Sequence, residues 1–318
     1  MQITKQRHKT NQYGLTLVEI MISLTIGLFL ILLITGVVIQ SKSTQAAQID
    51  LSVMQDTARL ALDNISRNIK QAGYTNYDKA DTPFIVSDEM SPNVIGFDAK
   101  SVAAKTANIS QLVASNNNSS DIIALRFFGS GQPADNTVLN CAGFAEAEPT
   151  NRADVSAGRA WSIYYVALDV GEPALFCKYR GNNEGNFQAY AIARGVESFQ
   201  VLYGINRSSP GNSITEQFLT ATEITALDTG ISTAELNKKT HWKKITAIKV
   251  ALLIRGNSNS RADNETTHHH LFGQAYSNAN AGKDAGSTID EAKLSKSNQK
   301  RLRKIYSTTI QLNNSGKI

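Results

Sequence analysis

The sequence predicts an α+β protein in which one long amino-terminal helix, both membrane span and spine, packs against an antiparallel β-sheet globular domain. No proline occurs between residues 15 and 72, and apolar side chains in the second half of that stretch recur in steps of three and four, the period of one helix face. Beyond Tyr74 the chain changes to short segments rich in Val, Ile, Tyr and Phe, separated by Gly, Asn, Ser and Pro. That pattern is typical of strands joined by turns.

The first half of the helix is predicted to cross a membrane. Residues 20–39 carry no charged side chain, and residues 15–39 would span about 37 Å at roughly 1.5 Å per residue, enough for a hydrocarbon core of about 30 Å. Basic residues precede this run (Lys5, Arg7 and Lys9), so we expect the leader to stay in the cytoplasm and the rest to lie outside. A secretory signal cleaved among residues 41–47 is the alternative interpretation.

The second half of the helix is expected to bury one face. The apolar stripe consists of Leu51, Met54, Ala58, Leu62, Ile65, Ile69 and Ala72. Asp63 and Arg67 have the spacing of an ion pair on another face, and Gly73 fits a helix end. One half of the helix therefore needs lipid or other helices around it, and the other half needs a globular cover.

Seven strands are predicted in the remainder of the chain. They are Asp121–Phe128, Trp161–Leu168, Ala174–Tyr179, Phe187–Ala193, Ser198–Ile205, Ile245–Arg255 and Ile305–Leu312. Residues 256–300 are predicted to be mostly irregular, with a short strand near Leu271 and Phe272.

Charge and cysteine content narrow the function classes. The formal net charge is +5, and loss of the three basic residues of the leader would leave about +2, so a global nucleic-acid-binding character is not indicated. Cys141 and Cys177 both lie beyond the apolar run, where we expect the oxidising periplasm, and that compartment favours a disulfide; two separate thiols are the alternative. A bridge would contribute about 3–4 kcal/mol in the chain-entropy model.

The junction Gly14-Leu15-Thr16-Leu17-Val18-Glu19, followed by the apolar run, resembles the class III signal of type IV prepilins. The resemblance implies that residues 1–14 are a leader, which prepilin peptidase removes after Gly14, and that the new amino terminus at Leu15 is methylated. Leu15 departs from the more common Phe. Glu19 lies one turn from that amine and complements its charge, and in pilin assemblies the equivalent glutamate pairs with the amine of a neighbouring subunit. An unpaired acid at the membrane edge is the alternative.

Further segments resemble the PilW-type minor pilins. They are the helix end at 58–62 and 69–74, and the strand segments 195–204, 245–255 and 303–312. The resemblance implies a helix over 15–73, with 15–39 in the membrane, and a periplasmic or extracellular β-rich domain over 74–318. It implies a priming or tip complex with other minor pilins, the major pilin and a tip adhesin, held in the inner membrane before assembly and on the pilus afterwards.

No enzymatic motif and no cofactor site is predicted. The phosphate-binding, dinucleotide-binding, zinc-protease and nucleophile-elbow patterns do not occur. The run His268-His269-His270, with Asp263 and Glu265 nearby, suggests a metal only weakly, because adjacent strand residues point to opposite faces. We therefore predict no metal and no catalytic residue.

A basic run before the last strand has two interpretations. It comprises Lys293, Lys296, Lys300, Arg301, Arg303 and Lys304, with no acidic residue among them. A solvated face or subunit contact is better supported than a nucleic-acid patch, because the interleaved aromatic residues of a single-strand site are missing. Besides a minor pilin, a type II secretion pseudopilin and a membrane-anchored adhesion or DNA-binding module remain alternative functions.

Overall fold

A single unbroken helix organises the chain. The computed structural model describes residues 14–75, 87–131, 133–149, 158–181, 186–207, 214–261 and 265–314; residues 1–13 of the leader and Asp263 lie outside these ranges. Helix α1 (Leu17–Gln71) contains 55 residues and is about 82 Å long at roughly 1.5 Å per residue. The predicted helix is confirmed, with its ends one or two residues inside the expected range.

The helix stops where the sequence places a glycine. Gly73 adopts φ +72, a left-handed conformation that suits glycine just past a helix end. Its N–H donates to the carbonyl of Arg126 at 2.9 Å, and an added Cβ would lie 2.7 Å from Asn93 Nδ2. The residue therefore ends α1 and brings the chain against the first sheet.

Two antiparallel sheets cover the second half of α1. A five-stranded sheet has the order β1-β4-β5-β6-β7, and a four-stranded sheet has the order β13-β10-β8-β9. Two ribbons pair β2 with β3 and β11 with β12. The strands are β1 (Val94–Phe97), β2 (Lys100–Ser101), β3 (Val113–Ala114), β4 (Ile122–Phe127), β5 (Ala160–Asp169), β6 (Glu172–Arg180), β7 (Phe187–Arg194), β8 (Val196–Ile205), β9 (Gln217–Leu219), β10 (Ile245–Arg255), β11 (His268–His270), β12 (Thr288–Asp290) and β13 (Arg303–Gln311).

All seven predicted strands are confirmed to within two residues at each end. The sequence prediction missed the short helices and the short strands, the strands because two to four residues are too few to show a period. It was partly wrong for residues 256–300, where the short strand lies at His268–His270 and a helix follows. The short helices are α2 (Ala221–Leu227), α3 (Leu236–Lys239), α4 (Gln274–Ala279) and α5 (Lys296–Gln299), with single 3-10 turns at His241–Lys244 and Glu291–Lys293.

One glycine carries the chain from the first sheet to the second. Gly195 separates β7 from β8 and adopts φ +83. Its N–H donates to the carbonyl of Pro173, at the start of β6, while its own carbonyl accepts from Arg255 N–H at the end of β10. This residue therefore bonds to both sheets, and the change of direction explains why there are two sheets.

The four-stranded sheet runs alongside α1. At one end an added Cβ on Gly256 would lie 2.7 Å from Asp50 Cγ, and at the other Asn314 Nδ2 donates to the Ala72 carbonyl at 3.1 Å. The helix rises about 33 Å between Asp50 and Ala72, and an extended chain over residues 303–314 spans about 36 Å. Strand and helix are therefore nearly parallel. We call the end of the domain at Asp50 the lower end, because it faces the uncovered half of α1.

The buried face of α1 differs in detail from the predicted stripe. Leu51 is 39% exposed and Leu62 is only half-buried, whereas the core also takes in Ala61, Asn68 and Asp50. The fully enclosed apolar members on α1 and its end are Met54, Ala58, Ala61, Ile65, Ile69 and Ala72. The predicted Asp63–Arg67 pair is replaced by an Arg59–Asp63 contact of 3.8 Å on the exposed face. Packing between two sheets, rather than hydrophobicity alone, selects the buried positions.

We predict that Ile65→Ala lowers the free energy of unfolding by about 2–4 kcal/mol, because it leaves a cavity where α1 meets both sheets. Leu60→Ala removes a side chain of the same size from the exposed face of the same helix and should change stability by less than about 0.5 kcal/mol. Denaturant unfolding of the detergent-solubilised chain, followed by tryptophan fluorescence, measures both. Equal losses would contradict the assigned packing face.

Candidate functional site

Gly14 and Leu15, which are described residues just before α1, are exposed and do not pack on the rest of the described chain. A Cβ added to Gly14 would meet no atom within 4 Å, and Leu15 is 76% exposed. Helical structure begins two residues later, with Thr16 as the residue that caps it. The Gly14–Leu15 bond is therefore accessible among the described residues, as a cleavage site requires.

Glu19 and Thr16 form a reciprocal cap at the start of α1. Glu19 N–H donates to Thr16 Oγ1 at 3.3 Å, while Thr16 N–H and Thr16 Oγ1 donate to Glu19 Oε2 at 2.9 and 3.0 Å. This is a capping box, which satisfies amide groups that the helix leaves open. The sequence analysis missed Thr16, although Thr-x-x-Glu before an apolar run is the usual signal of a capping box.

The first half of α1 is apolar on all sides, and no described part of the chain covers it. Its large hydrophobic side chains are exposed from Leu17 to Ile39, and α1 is the one helix in the described part of the chain that is long and apolar enough to span a membrane. Its polar side chains bond to the helix itself: Ser23 Oγ, Thr25 Oγ1 and Thr35 Oγ1 donate to carbonyls one turn earlier at 2.7–2.8 Å. The segment thus suits surroundings without water.

A disulfide joins Cys141 and Cys177, with their Cα atoms 5.8 Å apart. Cys177 lies on β6, and Cys141 lies in the connection that precedes β5. The Cys141 carbonyl accepts from Asn64 Nδ2 at 3.0 Å, so the bridge connects this loop both to the sheet and to the helix. It closes the loop around β5, as the position of the two cysteines on either side of that strand predicted.

Asparagine side chains on the buried face of α1 fix its rotation against the first sheet. Ser162 Oγ donates to Asn68 Oδ1 at 2.8 Å, and the Tyr164 hydroxyl donates to Asn64 Oδ1 at 2.6 Å. Burial raises the pKa of Tyr164 well above its usual value, so its hydroxyl stays protonated and remains a donor. The sequence gave no indication of this contact, because a polar residue on a helix face is not by itself a signal of burial.

Two models of known protein families match this chain. The family model described as type IV pilus-assembly protein W, PilW, matches residues 163–314. A second model, the prokaryotic N-terminal methylation motif, matches residues 9–35 and so includes Gly14, Leu15 and Glu19. The PilW model matches just under half of the sequence, and the methylation-motif model matches a separate stretch at its start. The chain is similar to the PilW-type type IV pilins.

The PilW match runs from β5 to the end of β13 and so includes most of both sheets. Among solved structures, a type IV-like pilin from Thermus thermophilus is similar over 82% of this chain and 97% of its own, with 13% identity and a TM-score of 0.38. A search of curated proteins found no match. These matches support a pilus-related structural protein, and similarity to pilins implies interaction with other pilus components.

Arginines of the basic run are bonded inside the PilW-type domain. Arg303 Nε and Nη2 donate to the two oxygens of Glu197 at 2.6 and 3.0 Å, and Arg301 Nη1 lies 3.3 Å from Glu172. Arg255 contacts both of these carboxylates. Ion pairing with Arg255 and Arg301 lowers the pKa of Glu172. These arginines stabilise the lower end of the domain and do not form an exposed phosphate-binding patch.

The three histidines separate as strand geometry predicts. His269 Nε2 lies 2.8 Å from buried Glu291, while His268 and His270 share the other face, with ring centroids 6.4 Å apart. Burial alone would raise the pKa of Glu291, but hydrogen bonds from His269, the Thr267 amide and Arg261 outweigh it and lower the pKa to about 2. No group of three side chains suited to a metal occurs among the described residues.

Asp50 is a second residue that sequence analysis missed. It lies on α1 and is buried, and it accepts from Ser260 Oγ at 2.5 Å and from the N–H groups of Asn257 and Ser258 at 3.2–3.3 Å. One carboxylate thus holds the loop after β10 against the helix. The contact joins residues more than 200 positions apart, so no local pattern could reveal it.

We predict that the double variant Cys141→Ser/Cys177→Ser lowers the free energy of unfolding by about 2–4 kcal/mol, because the unfolded chain gains the entropy that the bridge removed. Alkylation of the unreduced protein followed by mass spectrometry should detect no free thiol. The fold and the anchor should persist, and piliation should fall only through lower protein abundance. A variant that accumulates normally yet abolishes piliation would instead place the cysteines at a contact surface.

Proposed function

We propose that this PilW-type pilin is a minor pilin that joins other minor pilins in a complex that primes type IV pilus assembly and remains at the tip. The observation that carries the proposal is a methylation motif and capped apolar helix on the same chain as a PilW-type domain. The partners would be other minor pilins, the major pilin and a tip adhesin. Its role would be structural, with no catalytic residue, cofactor or metal.

The same features support a location. The apolar half of α1 would hold the chain in the inner membrane, with the leader in the cytoplasm and the sheets in the periplasm, until assembly moves it to the cell surface. Prepilin peptidase would cut after Gly14, which is exposed and precedes the first helical residue. The disulfide fits an oxidising compartment.

A type II secretion pseudopilin would share this architecture, but the PilW match favours the pilus. An adhesion or DNA-binding module outside any filament is less supported, because the arginines of the basic run are held by carboxylates. Deletion of the gene in strains with and without a retraction motor separates these functions. A priming role predicts few surface pili in the first strain and partial recovery in the second. Normal piliation in both would contradict it.

We predict that the mature protein begins at a methylated Leu15. Gly14→Val should block cleavage, because the peptidase must fit an extended backbone without a bulky side chain, whereas Gly14→Ala should be partly tolerated. Since a Cβ at this position meets nothing in the fold, stability should not change in either variant. Intact mass and amino-terminal sequencing measure the cut. A mature start near residue 48 would contradict processing at Gly14.

We predict that Glu19→Ala and Glu19→Gln both insert and are cleaved normally, but that co-purification of other minor pilins falls by about tenfold, equivalent to roughly 1.4 kcal/mol. Glutamine can still accept from Thr16 but cannot neutralise the Leu15 amine of a partner.

Thr16→Val is the matched control, because it removes the hydroxyl of the capping box and keeps the carboxylate. It should retain the partners. If Thr16→Val lost partners as strongly as Glu19→Ala, or if Glu19→Gln behaved as wild type, the role of Glu19 would be capping alone.

A further inference from the structure

The turn between β5 and β6 exposes an apolar residue in a conformation that disfavours it. Asp169 pairs with Glu172, so Val170 and Gly171 form a two-residue turn. Both have positive φ, +51 and +84, the geometry in which Asn-Gly is the usual choice. Val170 is nevertheless 93% exposed, and neighbouring Leu168 is 60% exposed. A β-branched residue is strained at positive φ. Neither the exposure to solvent nor the backbone conformation therefore favours a valine at this position.

This turn lies at the lower end of the domain. Glu172 contacts Arg255, whose neighbour Gly256 packs on Asp50. Further up, Tyr164 on β5 lies opposite Cys177 and bonds to Asn64 of α1. The five residues from Cys177 to Glu172 span about 17 Å as a strand, and the helix from Asn64 to Asp50 spans about 21 Å. The hairpin therefore descends along α1 and points its tip toward the apolar segment.

The tip comes close to the membrane surface. Asp50 lies about 16 Å along the helix from Ile39, the last residue of the apolar run, and two further strand residues extend the hairpin by about 6 Å beyond Glu172. Since Glu172 lies level with Asp50 or about 4 Å above it, about 10–14 Å then remains to the hydrocarbon edge, of which headgroups fill roughly 5–8 Å. A helix tilt near the average of about 20° would bring one side of the domain closer still.

The charge of the lower end matches an anionic surface. Its principal carboxylates are bonded to arginines: Asp169 to Arg194, Glu172 to Arg255 and Arg301, Glu197 to Arg255 and Arg303, and Glu291 to Arg261 and Arg303. Lys293 and Lys300 are exposed beyond them, and Glu265 is an exposed carboxylate on the neighbouring loop. The two exposed lysines therefore outnumber the one exposed carboxylate, and each lysine would gain about 1 kcal/mol beside anionic lipid.

We propose that the lower tip, formed by Leu168, Val170, Lys293 and Lys300, docks on the bilayer that holds α1. The lysines would bind anionic phospholipid headgroups, and Val170 would enter the interfacial layer. The proposal rests on the membrane anchoring of α1 proposed above. Docking would hold the domain in one orientation over the membrane before assembly. It would also give a role to Lys293 and Lys300, which take no part in the arginine–carboxylate ion pairs described above.

The test uses the full-length chain in nanodiscs of phosphatidylcholine, with or without phosphatidylglycerol. Because Cys141 and Cys177 are joined, Asn257→Cys on the exposed loop beside Asp50 accepts a single fluorophore. A quencher attached to the lipid headgroup reports its proximity. Phosphatidylglycerol should increase quenching, and Lys293→Glu/Lys300→Glu should shift the docked-to-undocked ratio back by at least about fivefold per lysine. Val170→Asn, which suits the turn, should also reduce quenching while leaving thermal stability equal or higher.

Lys70→Glu is the matched control, since Lys70 is an exposed lysine at the far end of the covered helix, and it should leave quenching unchanged. A second probe at Val37→Cys, with an acyl-chain quencher, reports anchoring independently. An unquenched Val37 probe would overturn the anchoring itself.

A quenched Val37 probe with no effect of phosphatidylglycerol, or of the lysine changes, on the Asn257 probe would overturn docking alone. If the Asn257 probe were quenched only after partner pilins were added to the nanodiscs, whatever the lipid, the surface would be a subunit contact. The lipid proposal would then be wrong.

Discussion

The structure depends on the packing of one face of α1, from Met54 to Ala72, against two sheets at once. Residues of both sheets join this face in a single core that includes Ile123, Leu175, Phe199 and Val250. Neither sheet could bury its inner face without the helix, and the covered half of the helix would be an isolated amphipathic rod without the sheets. The exposed amino-terminal half is part of the same helix, because α1 extends about thirty residues beyond the part that the described sheets cover.

Polar contacts fix the position of α1 relative to the two sheets more specifically than packing of the apolar face can. Asn64 and Asn68 bond to the first sheet, and Asp50 bonds to the loop after β10. A buried polar group costs free energy whenever its partner is missing, so a rotated or shifted helix would leave several of these groups unsatisfied. The alignment of helix and sheet sets the direction of the lower end, and with it the distance of the β5–β6 tip from the apolar segment.

The carboxylate of Glu19 would serve two roles. Within the chain it accepts from Thr16 and closes the start of the helix, and in an assembly it would also neutralise the amine of a neighbouring Leu15. A carboxylate offers several lone pairs, so one oxygen can cap while the other pairs. An acid at this position is thus tolerated in the isolated chain and remains ready for a partner.

Local patterns in the sequence determined the long helix, the seven long strands and the amino-terminal motif, because periodicity, composition and motifs are carried by neighbouring residues. The second family match includes that motif. The disulfide of Cys141 and Cys177 was expected only from the compartment that the apolar run implies. The sequence also predicted most of the buried face of α1, but only the tertiary structure decided its edges: Asp50, Ala61 and Asn68 are enclosed by elements distant in sequence, while Leu51 is not. The tertiary structure also decided that Arg301 and Arg303 turn inward to Glu172 and Glu197, whereas Lys293 and Lys300 remain in solvent. A run of like charges looks uniform in one dimension, and only the carboxylates that the fold brings beside it distinguish a structural ion pair from a free cation.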